Sequence, residues 1–131
     1  FLLKQQHVRE ALDIAAAADV ALIGMDDLSS ASTLSRMGQL STAEYDELKQ
    51  AGAVGILQGV APDHDGAIIA PPIAARTVGL DPKAFGRIGR RIVAASGARK
   101  TAAIRAILKG GHCNILITDE PTAEAVLDLG A

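Results

Sequence analysis

The period of the apolar positions changes most clearly between Arg91 and Glu120. Ile92-Val93-Ala94-Ala95 is a continuous apolar run that Ser96-Gly97 breaks. From Arg99 the apolar residues recur at three and four, with Ala103, Ile104, Ile107 and Leu108 on one face, which predicts a helix. Gly110-Gly111 ends it, since glycine leaves helical geometry without a side-chain clash. Asn114-Ile115-Leu116-Ile117-Thr118 is then too short and too β-branched for a helix. Strand, helix and strand in that order predict a βαβ unit, with two parallel neighbours joined by a right-handed crossover.

The same reading extends to the rest of the chain. His7 to Ala17 has Val8, Ala11, Leu12 and Ala15 on one helical face. Val20-Ala21-Leu22-Ile23-Gly24 is continuously apolar, as a strand buried on both faces would be. Ser41 with Glu44 three residues on forms a capping box, and the helix it opens runs to about Gln50. Ala53 to Leu57 is a further strand candidate, and the loop after it holds Gly59, Pro62, Asp63, His64, Asp65 and Gly66. Ile68-Ile69 predicts a short strand stopped by Pro71-Pro72, and Pro82 to Ile88 one or two helical turns. Pro121 suits the first turn of a last helix whose apolar face is Ala123, Val126 and Leu127, with Thr118 or Asp119 as its cap.

Composition narrows the class. A chain of 131 residues, 49% of them hydrophobic, has material for one core, yet only 2% are aromatic and Trp is absent. The core must therefore be Ala, Val, Leu and Ile, which suits helices lying close on a parallel sheet. A net charge of −2 gives no electrostatic footprint for nucleic acid. Arg87, Arg90 and Arg91 make a basic cluster that reads as a solvated face or subunit contact. The single Cys113 has no internal disulfide partner, which leaves the redox compartment open but fits a reducing cytoplasm, and it reads as core or strand-edge packing. No run reaches the roughly eighteen apolar residues of a membrane span. His7, His64, His112 and Cys113 are too scattered for a zinc site, and Gly97-Ala98-Arg99-Lys100-Thr101 lacks the earlier glycine of a P-loop. Neither a metal nor a cofactor is expected.

Ligands of open α/β sheets collect beyond the carboxyl ends of the strands. Two polar clusters fall there: Ser96-Gly97 with Lys100, and Thr118-Asp119-Glu120. Lys100 is suited to a phosphate and the carboxylates to sugar hydroxyls; equally, Lys100 reads as a solvated helix residue and Asp119 as a helix cap. Asp63-His64-Asp65 invites an acid–base reading, against which stands a plain polar turn.

Several stretches together resemble one family. GARKTAAIRAILKGGHCNILITDEPTAEAVL is similar to the closing segment of the effector-binding domain of SorC-type transcriptional regulators. Ala18-Asp19-Val20-Ala21-Leu22-Ile23-Gly24 resembles the family's Ala-Asp-Val-Ala-Leu-Val-Gly strand. Gly52-Ala53-Val54-Gly55, Gly59 and Asp63-His64-Asp65-Gly66 resemble a second landmark. Two departures stand out: Asp26 replaces a glycine of the family's Gly-Ile-Gly, and the arginine and aromatics of its Gly-Arg-Phe-Phe-Asp loop are missing around Gly59 and Asp63. Without that arginine an uncharged sugar or polyol is favoured over a phosphorylated one.

The resemblance implies an α/β, Rossmann-like three-layer sheet domain, akin to the sugar-phosphate isomerase and CoA-transferase-like fold and incomplete on its amino-terminal side. Residues 1–131 would be the carboxyl-terminal portion of the effector domain of a regulator. The start at Phe1 suggests that an upstream portion exists, bearing the first strands and a helix-turn-helix. Its partners would be a sugar, polyol or sugar-phosphate effector, operator DNA through that upstream domain, and further copies of itself in a dimer or tetramer. No enzymatic activity is expected; the alternative is an isomerase- or deaminase-like enzyme with Asp63 or His64 as base. The candidate ligand residues are Gly24, Asp26, Gly59, Asp63, Gly97 and Lys100.

Overall fold

The computed structural model of the protein describes residues 1–69 and 72–130, so Pro71 lies outside the described residues. After a 3-10 turn at Leu2–Lys4, helix α1 (Gln6–Ala16) leads into β1 (Val20–Ile23). Two helices follow, α2 (Thr33–Arg36) and α3 (Thr42–Gln50), then a short antiparallel pair, β2 (Ala61–Pro62) and β3 (Ile68–Ile69). Helix α4 (Pro82–Gly86) precedes the unit on which the fold is built: β4 (Arg90–Ala94), a 3-10 turn at Ala98–Lys100, α5 (Thr101–Lys109), β5 (Ile115–Ile117) and α6 (Glu120–Asp128). The predicted βαβ unit is present, and β4 pairs in parallel with both β1 and β5 in the order β1-β4-β5.

The register explains the core. Ile23 lies beside Val93, and Val93 beside Leu116, so these three share one face of the sheet. Against that face pack Ala103, Ile104 and Ile107 of α5 and Val126 of α6, with Met25, Leu57 and the buried Cys113 filling in. Ala103 and Ala106, both fully buried, let α5 approach closely, as the aromatic-poor composition requires. A second core joins Leu28, Leu40, Tyr45, Leu48, Ala53, Ile56 and Ala61. Inside it the Ser32 and Tyr45 hydroxyls share a buried 2.6 Å hydrogen bond. The Ser41–Glu44 capping box opens α3 as expected.

Two expectations are corrected. β1 is not buried on both faces: among the described residues α5 and α6 pack against one face of the sheet, and the other face stays open. Leu22 is 67% and Ile117 56% exposed there, with Val20 and Ile115 beside them. Ala53 to Leu57 is not a strand of the sheet. Its amides bond outside the parallel sheet, Val54 to the Pro62 carbonyl of β2 and Ile56 to the Asp26 carbonyl of the turn after β1, and Gly55 lies so close to Ala103 of α5 that a side chain there would clash. Arg91 is no mere surface charge either. Its guanidinium donates to the carbonyls of Gly86, Ile88 and Gly111, closing the amino end of the sheet.

Candidate functional site

Three strands running the same way present three turns at one end, and the sequence makes each turn polar. After β1 the chain runs through Gly24, Met25, Asp26 and Asp27. Asp26 exchanges backbone bonds with Ile56, and its carboxylate accepts from the amides of Leu34 at 3.0 Å and Asp27 at 3.2 Å. The aspartate that departs from the family's glycine thus ties the β1 turn to α2. Gly24 and Asp26 line a concavity of about 330 Å³ with Thr33, Leu34, Ile56, Gln58 and Gly59. Gly59 belongs to the tight Leu57–Val60 turn, with φ +79°, and a side chain there would meet Thr77. Three of the six candidate residues therefore share one wall.

After β4 the turn is Ala95-Ser96-Gly97-Ala98-Arg99-Lys100. Gly97 takes φ +103°, left-handed territory that favours glycine, and its amide donates to the Thr122 hydroxyl at 2.8 Å. Thr122 is buried in the first turn of α6, and its own amide donates to Asp119 at 2.9 Å. Thr122's hydroxyl and amide, with the Ser96 hydroxyl, hold the Asp119 carboxyl below the usual carboxylate range. The cap expected of Asp119 is confirmed, while Thr122 was missed. The spacing Asp-x-x-Thr after a strand could have signalled it.

A second concavity, of about 430 Å³, lies between these ends and is lined by Ser96, Lys100, Thr118 and Asp119 with Ala94, Ala95 and Ile117. Arg99 Nε lies 3.3 Å from Oδ2 of Asp27, whose side chain is only 5% exposed. This pair joins the β1 turn to the β4 turn, so both concavities open at the same end of the sheet.

Asp63 is elsewhere. Its Oδ1 accepts from the amides of Asp65 and Ala67, both at 2.9 Å, which closes its own turn. The next residues grip the far end of α5: the His64 carbonyl accepts from Arg105, Asp65 pairs with Lys109 at 2.7 Å, and the Gly66 carbonyl bonds the His112 ring. Lys100 precedes the first residue of that nine-residue helix, whereas the loop meets the helix only from Arg105 onward. The structure does not bring Asp63 together with Gly24, Gly97 or Lys100. Nor does the trio form an acid–base constellation, since each member bonds in a different direction.

The class follows from this geometry: an α/β domain with a polar, open cleft at the carboxyl ends of its parallel strands. Residues 1–128 match the family model Sugar-bind, described as "Putative sugar-binding domain". The chain belongs to that family. It is 36% identical over 129 residues to the transcriptional regulator LsrR of Escherichia coli O157:H7, covering 96% of this chain and 41% of that protein. It is 29% identical over 126 residues to the erythritol catabolism regulatory protein EryD of Brucella abortus, covering 96% and 40%. Its fold matches that of the full-length sorbitol operon regulator SorC from Klebsiella pneumoniae with a TM-score of 0.85, at 23% identity, over 95% of this chain and 41% of that one. The chain thus spans about two fifths of the length of the curated relatives it matches. These relatives are named as regulators, and what this chain shares with them is the sugar-binding domain of the family model.

Proposed function

We propose that this domain senses a small polyhydroxy effector for a transcriptional regulator of carbohydrate or polyol use. The observation that carries the reading is the cleft itself: polar side chains from three successive turns, gathered at the sheet's carboxyl end, in a chain that matches a sugar-binding domain almost throughout. Gly24, Asp26 and Gly59 would wall one part and Gly97 and Lys100 the other. Asp63 would act only by shaping the loop behind α5.

The rest of the protein enters on the same terms. The open sheet face with Leu22 and Ile117, together with the greater length of the relatives, supports a further layer supplied by another part of a longer, isomerase-like Rossmann domain. Operator DNA would be read by a separate domain, within a cytoplasmic dimer or tetramer. For the effector to regulate, it must bind two conformations or assemblies unequally.

The test is fluorescence anisotropy of the full-length regulator on its own upstream DNA, titrated with sugars, polyols and their phosphates. A shift in DNA affinity with one compound class is the expected result. Consumption of a compound without DNA binding would overturn it.

A further inference from the structure

The outer side of the helical layer has an apolar opening that the fold does not close. Between α5 and α6 lies a concavity of about 580 Å³, with Leu116 of β5 in its lining. Leu108, Ala123, Val126 and Leu127 complete its apolar wall, and Arg105 and Lys109 flank it on the α5 side. Leu127 is 68% exposed, and Leu129 just beyond it is exposed as well. An apolar hollow edged by exposed leucines marks an interaction surface rather than a finished core.

The charges beside the hollow are sorted by helix. Helix α5 carries Arg105 and Lys109 and no acid, whereas α6 carries Glu120, Glu124 and Asp128 and no base. The three acids recur every four residues, all exposed, and none has an ion-pair partner among the described residues. A ridge of like charge at that spacing disfavours a helix on its own. Across the hollow, Arg105 donates to the carbonyls of Leu129 and His64 and makes no ion pair among the described residues, and Lys109 holds only the exposed Asp65.

The positions of these charges also match. Both helices follow strands of one parallel sheet and pack on the same face, so they run in the same direction. Arg105 and Lys109 are the fifth and ninth residues of α5, and Glu124 and Asp128 are the fifth and ninth of α6. A two-fold axis parallel to the helices lays each α5 across the α6 of a second copy, cation against acid at both levels, and sets each Leu127 toward the opposite hollow. A two-fold axis across the helices would oppose like charges instead. A face sorted in this way is complementary to itself, which is what an isologous contact demands.

We infer that two copies of this chain associate through the α5–α6 face. Leu127 and the hollow form the centre of the contact, and Arg105 and Lys109 face Glu124 and Asp128 of the second copy at its rim. This goes beyond the sensor reading, which leaves the assembling surface open, and it does not depend on what the cleft binds.

The test is sedimentation equilibrium of the full-length protein over a concentration series. The wild type should associate, and Leu127→Asp should halve the assembled species or weaken association at least about tenfold, with an unchanged circular dichroism spectrum. Asp128→Lys should weaken association less, because rim charges are solvated, and adding Lys109→Glu should restore it, since the pair is then reversed rather than lost. Asp128 is exposed, so this pair of variants decides alone if Leu127→Asp does not fold. A monomeric wild type, or an assembly that Leu127→Asp leaves intact, would overturn the inference and give the hollow to another part of the longer protein. A deficit in Asp128→Lys that Lys109→Glu fails to repair would sink the two-fold arrangement. Either result leaves effector binding at the cleft untouched.

Discussion

The two ends of α5 look alike in sequence and differ in what their polar atoms do. At its carboxyl end the loop Asp63-His64-Asp65-Gly66 has two acids, a histidine and a glycine, and its hydrogen bonds close within the protein. Asp63 caps its own turn, Asp65 holds Lys109, and the His64 and Gly66 carbonyls hold Arg105 and His112. At its amino end Lys100, Thr101 and Thr118 keep donors and acceptors unspent. The first end is a clasp, and the second is the end to which the sensor reading assigns the ligand. Polarity in a loop therefore says little about binding, whereas uncommitted hydrogen-bonding capacity beside a concavity says a good deal.

The clasp breaks most severely at Gly66. A Cβ there would come within 2.4 Å of the Ala106 carbonyl oxygen and 2.5 Å of Gly110, at φ +81°. Backbone atoms cannot swing aside as a side-chain tip can, so Gly66→Ala should cost about 3 kcal/mol in chemical denaturation. The fraction that stays folded should still bind ligand normally. An unchanged midpoint would mean that the loop does not grip α5.

Much of this was legible in the sequence. Periodicity located β1, α1, α3, β4, α5, β5 and α6 within a residue or two, because each carries an apolar run or face at its own period, although α1 buries none of its residues. The Asp119 cap and the Ser41–Glu44 box are local, and local chemistry is readable. Ala53 to Leu57 misled because it is apolar and buried like a strand while its partners lie outside the parallel sheet. Asp63 misled because its side chain is consumed by amides two and four residues ahead, a turn that spacing alone does not separate from a site. The Arg99–Asp27 pair joins residues far apart in sequence, and nothing short of the fold could have paired them.

At the other end, Asp119 offers a smaller effect with a definite sign. Bonds from Thr122 and Ser96 put its folded pKa below the ordinary value near 3.8. A carboxylate whose pKa is lowered by folding contributes stability that is complete above the ordinary value and fades as pH falls through the lowered one. Asp119→Asn keeps an oxygen for the Thr122 amide, because asparagine also caps helices well, but removes the titration. Acid unfolding followed by circular dichroism should therefore be less steep in the variant below about pH 4, with little difference near neutrality. Identical acid limbs would mean that Asp119 is not engaged with Thr122.

The smallest effect belongs to His64, and it bears on the comparison most directly. Its carbonyl is tied to Arg105 while its ring projects from an exposed position. His64→Gln removes the imidazole on which the acid–base reading of this loop rests and leaves the backbone bond in place. The stability change should stay within about 0.5 kcal/mol, as for surface substitutions away from special features. Effector affinity, measured through the anisotropy titration of the full-length regulator, should not move. A loss of binding in this variant would place the ligand at the clasp, and the unspent atoms at the other end of α5 would then need a different explanation.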